Sequence, residues 1–307
     1  MADDPKTVRI CHVTDFHLPL QAPFSPTWLL SKRCLGFANL VFSRAKTHRI
    51  EPFRRLLEAA VSEETDAIVV TGDLSNLALE SEYDTVDREL RRAGLSPGDP
   101  LIIPGNHDRY TPTADLGDAF ERNLGPWLPE GFQRRSGYPL ARRIGPAMLI
   151  GLDTTVWRGP VRAAGRFDRA QATRMVRLLE EARSDGLWPV IAMHHPPFAL
   201  DGPRFENYRA GLDGLDLFLE ATASFEATVL HGHLHRSMRR RAGGLDIIGA
   251  PSASNDFGSA PRQLAYQVYE IGAEGVASAQ AVTLWPDGND DTTFVREPLP
   301  EPSGARP

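Results

Sequence analysis

Five times along this chain a short apolar run ends on residues that can grip a cation. Val8 to Thr14 runs into Asp15-Phe16-His17, and Ala67 to Thr71 into Gly72-Asp73. Leu101 to Ile103 leads to Gly105-Asn106-His107-Asp108, and Pro189 to Met193 to His194-His195. Ala227 to Leu230 leads to His231-Gly232-His233-Leu234-His235. Short β-branched runs closed by glycine or proline read as buried strands. In open α/β sheets, sites gather beyond the carboxyl ends of strands. Five strand ends aimed at one rim are therefore expected to converge on one site.

Helices are expected between the strands, over Arg49–Glu64, Ser81–Arg92, Asp168–Arg183 and Leu215–Ala221. Hairpins are expected around Gly145-Pro146 and Gly243-Gly244. Two further strands are expected over Gln263–Ile271 and Gly275–Leu284, and the Pro-rich, acidic tail from Pro286 reads as frayed. Strand–helix units first and strands later predict two packed sheets with helices outside. The chain of 307 residues, 41% hydrophobic and 24% charged, has ample material for such a core. A catalytic domain over 1–285 with a tail over 286–307 is the expected organisation.

The net charge of −6 and acidic balance argue against a nucleic-acid polymer as partner. With two cysteines, Cys11 and Cys34, no disulfide framework or cysteine-rich zinc motif can form beyond one bridge, which fits a reducing setting. The first residues lack a basic stretch followed by an apolar one, so no signal peptide is expected. Nor is there an apolar run of about 18 residues. A cytoplasmic protein is the expectation.

On an extended chain, Asp15 and His17 would point the same way, as would His233 and His235, and each pair could hold one cation. Asp73, with two carboxylate oxygens after a permissive glycine, is the natural bridge between two ions. Asn106 adds a neutral amide oxygen. Two divalent ions against two aspartates and a hydroxide leave a surplus of about one positive charge, suited to an anionic phosphodiester. Oxygen and nitrogen donors without thiolate fit manganese, iron or zinc rather than calcium. Each motif alone has a bland reading as a turn or a satisfied core polar group. All five in this order do not.

Together these motifs resemble the calcineurin-like metallophosphoesterases, over roughly residues 8–270. The resemblance rests on Asp15-x-His17, Gly72-Asp73, Gly105-Asn106-His107-Asp108, His194-x-Pro196 and Gly232-His233-x-His235. It implies an α/β fold, a four-layer α/β/β/α sandwich with a dinuclear centre. It also implies that one ion takes Asp15, His17, Asp73 and His235, and the other Asp73, Asn106, His194 and His233. His107 would then contact substrate phosphate as an acid, with Asn106 beside it, and Arg109 would either touch a phosphate oxygen or lie on the surface. His195 is read as either a neighbour of the ligands or a core residue, and His231 as structural. Phosphoprotein phosphatases carry Asp where this chain has Asn76, followed by an Arg-Gly pair absent here. The segments 72–76, 192–197 and 251–254 look closer to bacterial cyclic-nucleotide and glycerophosphodiester phosphodiesterases.

The expected reaction is attack on phosphorus by a metal-bridging hydroxide, the two ions stabilising the entering and leaving oxygens. A small or cyclic-nucleotide diester is the preferred substrate. One stretch points elsewhere. Residues 19–50 contain no acid and carry Lys32, Arg33, Arg44, Lys46 and Arg49. From Trp28 to Lys46 a helical wheel places Leu30, Leu35, Phe37, Val41 and Phe42 on one side and Lys32, Asn39, Ser43 and Lys46 on the other. This helical insertion reads either as packing on the body or on a second subunit of a homodimer, or as peripheral contact with anionic membrane. The second reading makes a lipid-linked pyrophosphate or diester the alternative substrate. A non-catalytic interaction scaffold is the non-enzymatic alternative, against which the intact donor set argues.

Overall fold

The computed structural model describes residues 7–18, 50–130, 132, 135–159, 162–201, 203–254, 264–286 and 292–304. The basic amphipathic stretch expected over 19–50 lies outside these residues, except for Ile50, which opens a helix. In chain order the strands are β1 (Thr7–Val13), β2 (Ala67–Val70), β3 (Pro100–Ile102), β4 (Leu140–Ile144) and β5 (Ala147–Gly151). They continue with β6 (Gly165–Arg166), β7 (Trp188–Met193), β8 (Leu212–Asp213), β9 (Ala227–His231) and β10 (Met238–Ala242). The last are β11 (Leu245–Gly249), β12 (Ala265–Gly272), β13 (Gly275–Pro286), β14 (Thr292–Pro298) and β15 (Ser303–Gly304). Six of them form one sheet in the order β14-β13-β12-β1-β2-β3, and seven another in the order β15-β10-β11-β9-β7-β5-β4.

In the first sheet β1, β2 and β3 run parallel, joined by crossover helices α1 (Ile50–Val61) and α2 (Glu80–Arg92). Helix α1 buries Phe53, Leu56, Leu57 and Ala60, the i, i+3, i+4, i+7 stripe of a helix lying on a sheet. Helix α2 buries Tyr83, Val86 and Leu90, and Glu82 accepts from the backbone N–H groups of Asn76, Leu77 and Leu79 at 2.9, 3.0 and 3.0 Å. In the second sheet β5, β7, β9 and β11 also run parallel to one another.

Alternation along these central strands builds two cores. Ala147, Leu149, Val190, Ala192, Leu230 and Ile248 face the first sheet and join its side chains in one cluster. Met148, Ile150, Ile191, Met193, Val229 and Ile247 face the other way. There they meet Met175 and Leu179 of helix α5 (Arg169–Ser184) and Phe218 of α7 (Leu215–Thr222). Between α2 and α5 lie the short helices α3 (Pro112–Leu116) and α4 (Ala119–Asn123), and α6 (Arg204–Ala210) precedes β8. The layers are thus helix, sheet, sheet, helix, the sandwich expected.

The expected strands, both hairpins and the four long helices are present within about a turn of their expected limits. One expectation is corrected. The stretch after Pro286 is not simply frayed: β14 pairs antiparallel with β13, and β15 runs parallel to β10. Thr292-Thr293-Phe294-Val295 is a β-branched and aromatic run that the prolines around it masked. The short helices α3, α4 and α6 carry too few periodic residues to be read from sequence.

Leu149 is fully buried between the sheets. Leu149→Ala is expected to cost about 2–5 kcal/mol, read as a lower urea midpoint with an unchanged denaturant slope.

Candidate metal centre

The ends of β1, β2 and β3 in one sheet meet those of β7 and β9 in the other. The backbone there is unusual. Asp15, His17, Asp73, His233 and His235 have φ of 54, 39, 54, 66 and 51°. Left-handed backbone at a residue with a side chain costs about 1–2 kcal/mol, and such positions cluster at functional sites. This corrects the expectation that Asp15-x-His17 and His233-x-His235 act as extended pairs. Their donors converge because both loops turn through the left-handed region.

Neighbouring loops hold these turns. Asp15 N–H donates to Gly72 O at 2.9 Å and His17 N–H to Asp73 O at 3.0 Å. Ser252 Oγ donates to Asp15 O at 2.7 Å, and Ala253 N–H to Thr14 O at 2.9 Å. Two glycines are required by the closeness of the loops. A Cβ on Gly105 would lie 2.1 Å from Asp73 N, and one on Gly232 would lie 2.2 Å from Thr14 Oγ1 and 2.5 Å from Asp15 Oδ2.

The seven expected donors are brought together. Asp15 divides its two oxygens: Oδ2 accepts from Thr14 Oγ1 at 2.9 Å and from His233 N–H at 3.0 Å. Oδ1 is buried with no hydrogen-bond donor among the described residues, although His235 Nε2 lies 3.0 Å away. His17 Nε2 stands 3.2 Å from His235 Nε2 and 3.4 Å from Asp73 Oδ2. The other Asp73 oxygen, Oδ1, is 3.5 Å from His194 Nε2 and accepts from His107 N–H at 2.7 Å. Asn106 Oδ1 lies 3.1 Å from His194 Nε2 and 2.9 Å from His233 Nδ1.

Backbone carbonyls orient two of the rings from behind. His194 Nδ1 donates to Thr71 O at 2.7 Å, which turns Nε2 inward. His233 Nε2 donates to Ala210 O at 3.1 Å, which turns Nδ1 inward. Tying the outer nitrogen of an imidazole so that the inner one can ligate is the usual support of a metal-binding histidine. The electrostatics agree. Burial would raise both carboxyls, yet His235 and His194 hold Asp15 low, and His194, His107 and His17 hold Asp73 well below the ordinary range. Burial would lower His194, but Asp73 outweighs it and raises it to about 9. An orphaned carboxylate oxygen, inward-facing ring nitrogens and ionised acids fit a divalent cation. Asp15, His17 and His235, and likewise Asp15, Asp73 and His194, bring ligand atoms within 4.8 Å of one another.

The calcineurin-like phosphoesterase profile matches residues 8–237, spanning every one of these donors. The chain belongs to the calcineurin-like phosphoesterase family. It is a metal-dependent phosphoesterase. A probable cyclic nucleotide phosphodiesterase of Psychrobacter arcticus is 25% identical over 261 residues, 81% of each chain. A 3′,5′-cyclic-nucleotide phosphodiesterase of Nostoc sp. is 23% identical over 304 residues, 96% of this chain and 94% of that one. Among solved structures, a dimetal phosphatase from Danio rerio superposes with a TM-score of 0.62 at 14% identity, covering 96% of this chain and 99% of that chain. Purple acid phosphatase from yellow lupin gives 0.59 at 11% identity, covering 94% of this chain and 53% of that chain. These two likenesses concern the fold.

Around this phosphoesterase centre lies a second layer of buried polar residues. Asp108 is fully buried and ties two ligand loops together. Its carboxylate accepts from Gly105 N–H at 2.9 Å, Ser75 N–H at 3.0 Å, Ser75 Oγ at 2.9 Å and Leu74 N–H at 3.2 Å. His195 is held by Thr154 Oγ1 and Ala163 O, each 2.9 Å away, and its ring packs on that of His233. Burial keeps it neutral. His231 is also buried, its Nδ1 donating to Gly232 O at 2.9 Å, and burial lowers it to about 4. Thr14 and Ser252 carried no signal beyond their place beside Asp15 and within Pro251-Ser252-Ala253-Ser254.

Arg109 corrects another expectation. It neither meets a phosphate nor lies on the surface. Its guanidinium is fully buried, donating to Glu121, with Nη1 at 2.8 Å, and to Asp153 at 3.2 Å. It anchors the loop behind Asn106 to α4 and to the end of β5.

Gly232→Ala is expected to abolish metal loading while far-ultraviolet circular dichroism stays native; elemental analysis of purified protein reads it. Asp73→Ala is expected to lose both metals together, and full dinuclear occupancy in that variant contradicts a bridging Asp73.

Proposed function

We propose that the protein hydrolyses small phosphodiesters of the cyclic-nucleotide type, with two divalent cations held by Asp15, His17, Asp73, Asn106, His194, His233 and His235. The observation carrying this reading is the division of Asp73, with one oxygen 3.4 Å from His17 and the other 3.5 Å from His194. A carboxylate whose oxygens face two separate histidine sets is suited to bridge two ions. The donors are nitrogen and oxygen throughout, a set that suits manganese, iron or zinc. Bound there, the pair supplies Lewis-acid activation of water and neutralises charge on the phosphoryl oxygens.

This chain's own residues do the rest. Asp15, Asp73 and the inward nitrogens would hold the cations that receive the anionic phosphate. His107 stands at the edge of the cluster, a ring nitrogen within 4.8 Å of ligand atoms on His17 and Asp73. Its Nδ1 donates to Asn76 O at 2.8 Å, so Nε2 is the atom that can meet the substrate. In its imidazolium form, with Nδ1–H held by Asn76, the ring gives its Nε2 proton to the leaving oxygen as the P–O bond breaks and becomes neutral. The incoming water supplies the oxygen added to phosphorus and the proton that restores the ring. Asn76 stands where phosphoprotein phosphatases have a carboxylate, and here its side-chain amide donates to Leu18 O at 2.7 Å.

The diester preference is supported by relatives whose names state cyclic-nucleotide phosphodiesterase activity, one aligned over 96% of this chain. A second reading, a lipid-linked pyrophosphate or diester cleaved at a membrane surface, draws on the basic amphipathic sequence of 19–50. No described helix is long and apolar enough to cross a membrane.

Chelation is expected to abolish hydrolysis and added manganese to restore it; turnover indifferent to chelator contradicts the scheme. A manganese-loaded panel of bis-p-nitrophenyl phosphate, its monoester, cyclic AMP and a UDP-linked lipid separates the two substrate readings. His107→Ala is expected to keep both metals and lose about 10²–10⁴-fold in turnover of alkoxide-leaving diesters, measured by initial rates beside elemental analysis.

A further inference from the structure

Beside His107 lies a small apolar cluster apart from the two main cores. It consists of Leu77, Ala78, Tyr110, Ala114 and Ala119, with Leu79 packed against it. Its largest member, Tyr110, is 8% exposed and lies face to face with the His107 imidazole, ring centres 5.2 Å apart and planes 16° apart. This is an offset stack. The same imidazole and the ring of His17 meet in a T-shaped contact, with centroids 4.8 Å apart at 85°. A third contact acts in the plane of the ring, where Nδ1 donates to Asn76 O at 2.8 Å.

Each contact removes a different freedom. The Asn76 carbonyl keeps a proton on Nδ1 and sets the rotation of the ring within its plane. The Tyr110 face sets the tilt of that plane, and His17 blocks the swing toward the cluster. Tyr110 itself is held by the helix on its carboxyl side. Thr111 caps helix α3, its Oγ1 accepting from Ala114 N–H at 3.2 Å, and Ala114 packs in the same cluster as Tyr110. On the other side Ala78 adopts φ 54°, a left-handed turn two residues beyond Asn76. Two of the three segments that contact the imidazole thus end in this one small cluster.

We propose that Tyr110 is a positioning residue for His107, holding the imidazole plane so that Nε2 lines up with the leaving oxygen. This rests on the proton-donor role of His107 in the proposed reaction. The stack needs an aromatic face and not a hydroxyl. Its effect falls on the departure of the leaving group and leaves cation loading and substrate binding alone.

That selectivity makes the inference testable. A p-nitrophenolate leaves without help, whereas an alkoxide, such as the ribose oxygen of a cyclic nucleotide, needs a proton as it departs. The test compares wild type, Tyr110→Leu, Tyr110→Met, Tyr110→Phe and His107→Ala, all manganese-loaded. The substrates are bis-p-nitrophenyl phosphate and the alkoxide-leaving diester that wild type cleaves fastest. Tyr110→Leu and Tyr110→Met are expected to lower kcat for the alkoxide diester about tenfold or more, with KM within about twofold and bound metal unchanged. The p-nitrophenyl diester is expected to change little, and Tyr110→Phe to behave as wild type.

Equal losses on both substrates, a rise in KM alone, or loss of metal in both non-aromatic variants would assign Tyr110 to packing and overturn the proposal. Wild-type behaviour of those variants overturns it as well. If His107→Ala shows no discrimination between the substrates, the donor role of His107 fails and the inference falls with it. Discrimination by His107→Ala without discrimination by the Tyr110 variants defeats the inference alone.

Discussion

Everything at the rim depends on one electrostatic demand: two buried carboxylates and several imidazole nitrogens share a space that only positive charge can stabilise. Asp15 Oδ1 has no hydrogen-bond donor among the described residues, and the Nε2 atoms of His17 and His235 face each other at 3.2 Å. Burying carboxylates and ring nitrogens this close together costs several kcal/mol per ion unless their charge is balanced. Such an arrangement persists only where the gain on binding a cation exceeds the cost of holding it together. The left-handed backbone at five of the donors is the visible part of that cost. The support layer around Asp108, Ser252 and the motif glycines keeps those turns from relaxing.

How much of this was legible in sequence depended on whether a residue's role is local. The donors could be read because each comes directly after a short apolar run, and a strand end is a local feature. The sandwich could be read because two apolar periodicities alternate with helical stripes. The way the donors converge could not. A period-two argument placed Asp15 beside His17, whereas the actual turn depends on Gly72 and Ser252, residues distant in the chain that hold it by hydrogen bonds. Arg109 failed for the same reason. Its neighbours in sequence said site, while its partners Glu121 and Asp153, on other elements, place it in the interior. The strand after Pro286 was hidden by composition, since prolines and acids outweighed a short β-branched run.

Asn76 and Tyr110 show what a motif omits. Asn76 drew notice as a departure from the phosphoprotein phosphatases, a negative observation. In the structure its backbone carbonyl orients His107 and its side chain reaches Leu18 at the end of the first donor loop. Tyr110 comes just after the Gly-Asn-His-Asp motif and drew none, because stacking on a residue three positions earlier depends on the 3-10 turn at Asn106–Arg109. Side chains that orient a reactive group stand one contact away from it, and sequence spacing seldom records that contact.

The order of strands in the first sheet has a consequence for biosynthesis. β1 lies between β2, made soon after it, and β12, which spans Ala265–Gly272 near the far end of the chain. While a ribosome is still translating the middle of the message, one edge of β1 has no neighbour and the Asp15 loop lacks its latch at Ser252. Long-range pairing of this kind closes late and slowly. The segment carrying β1 must therefore stay unaggregated with an open sheet edge until β12 has been made, and the donor set is complete only once His235 has been added.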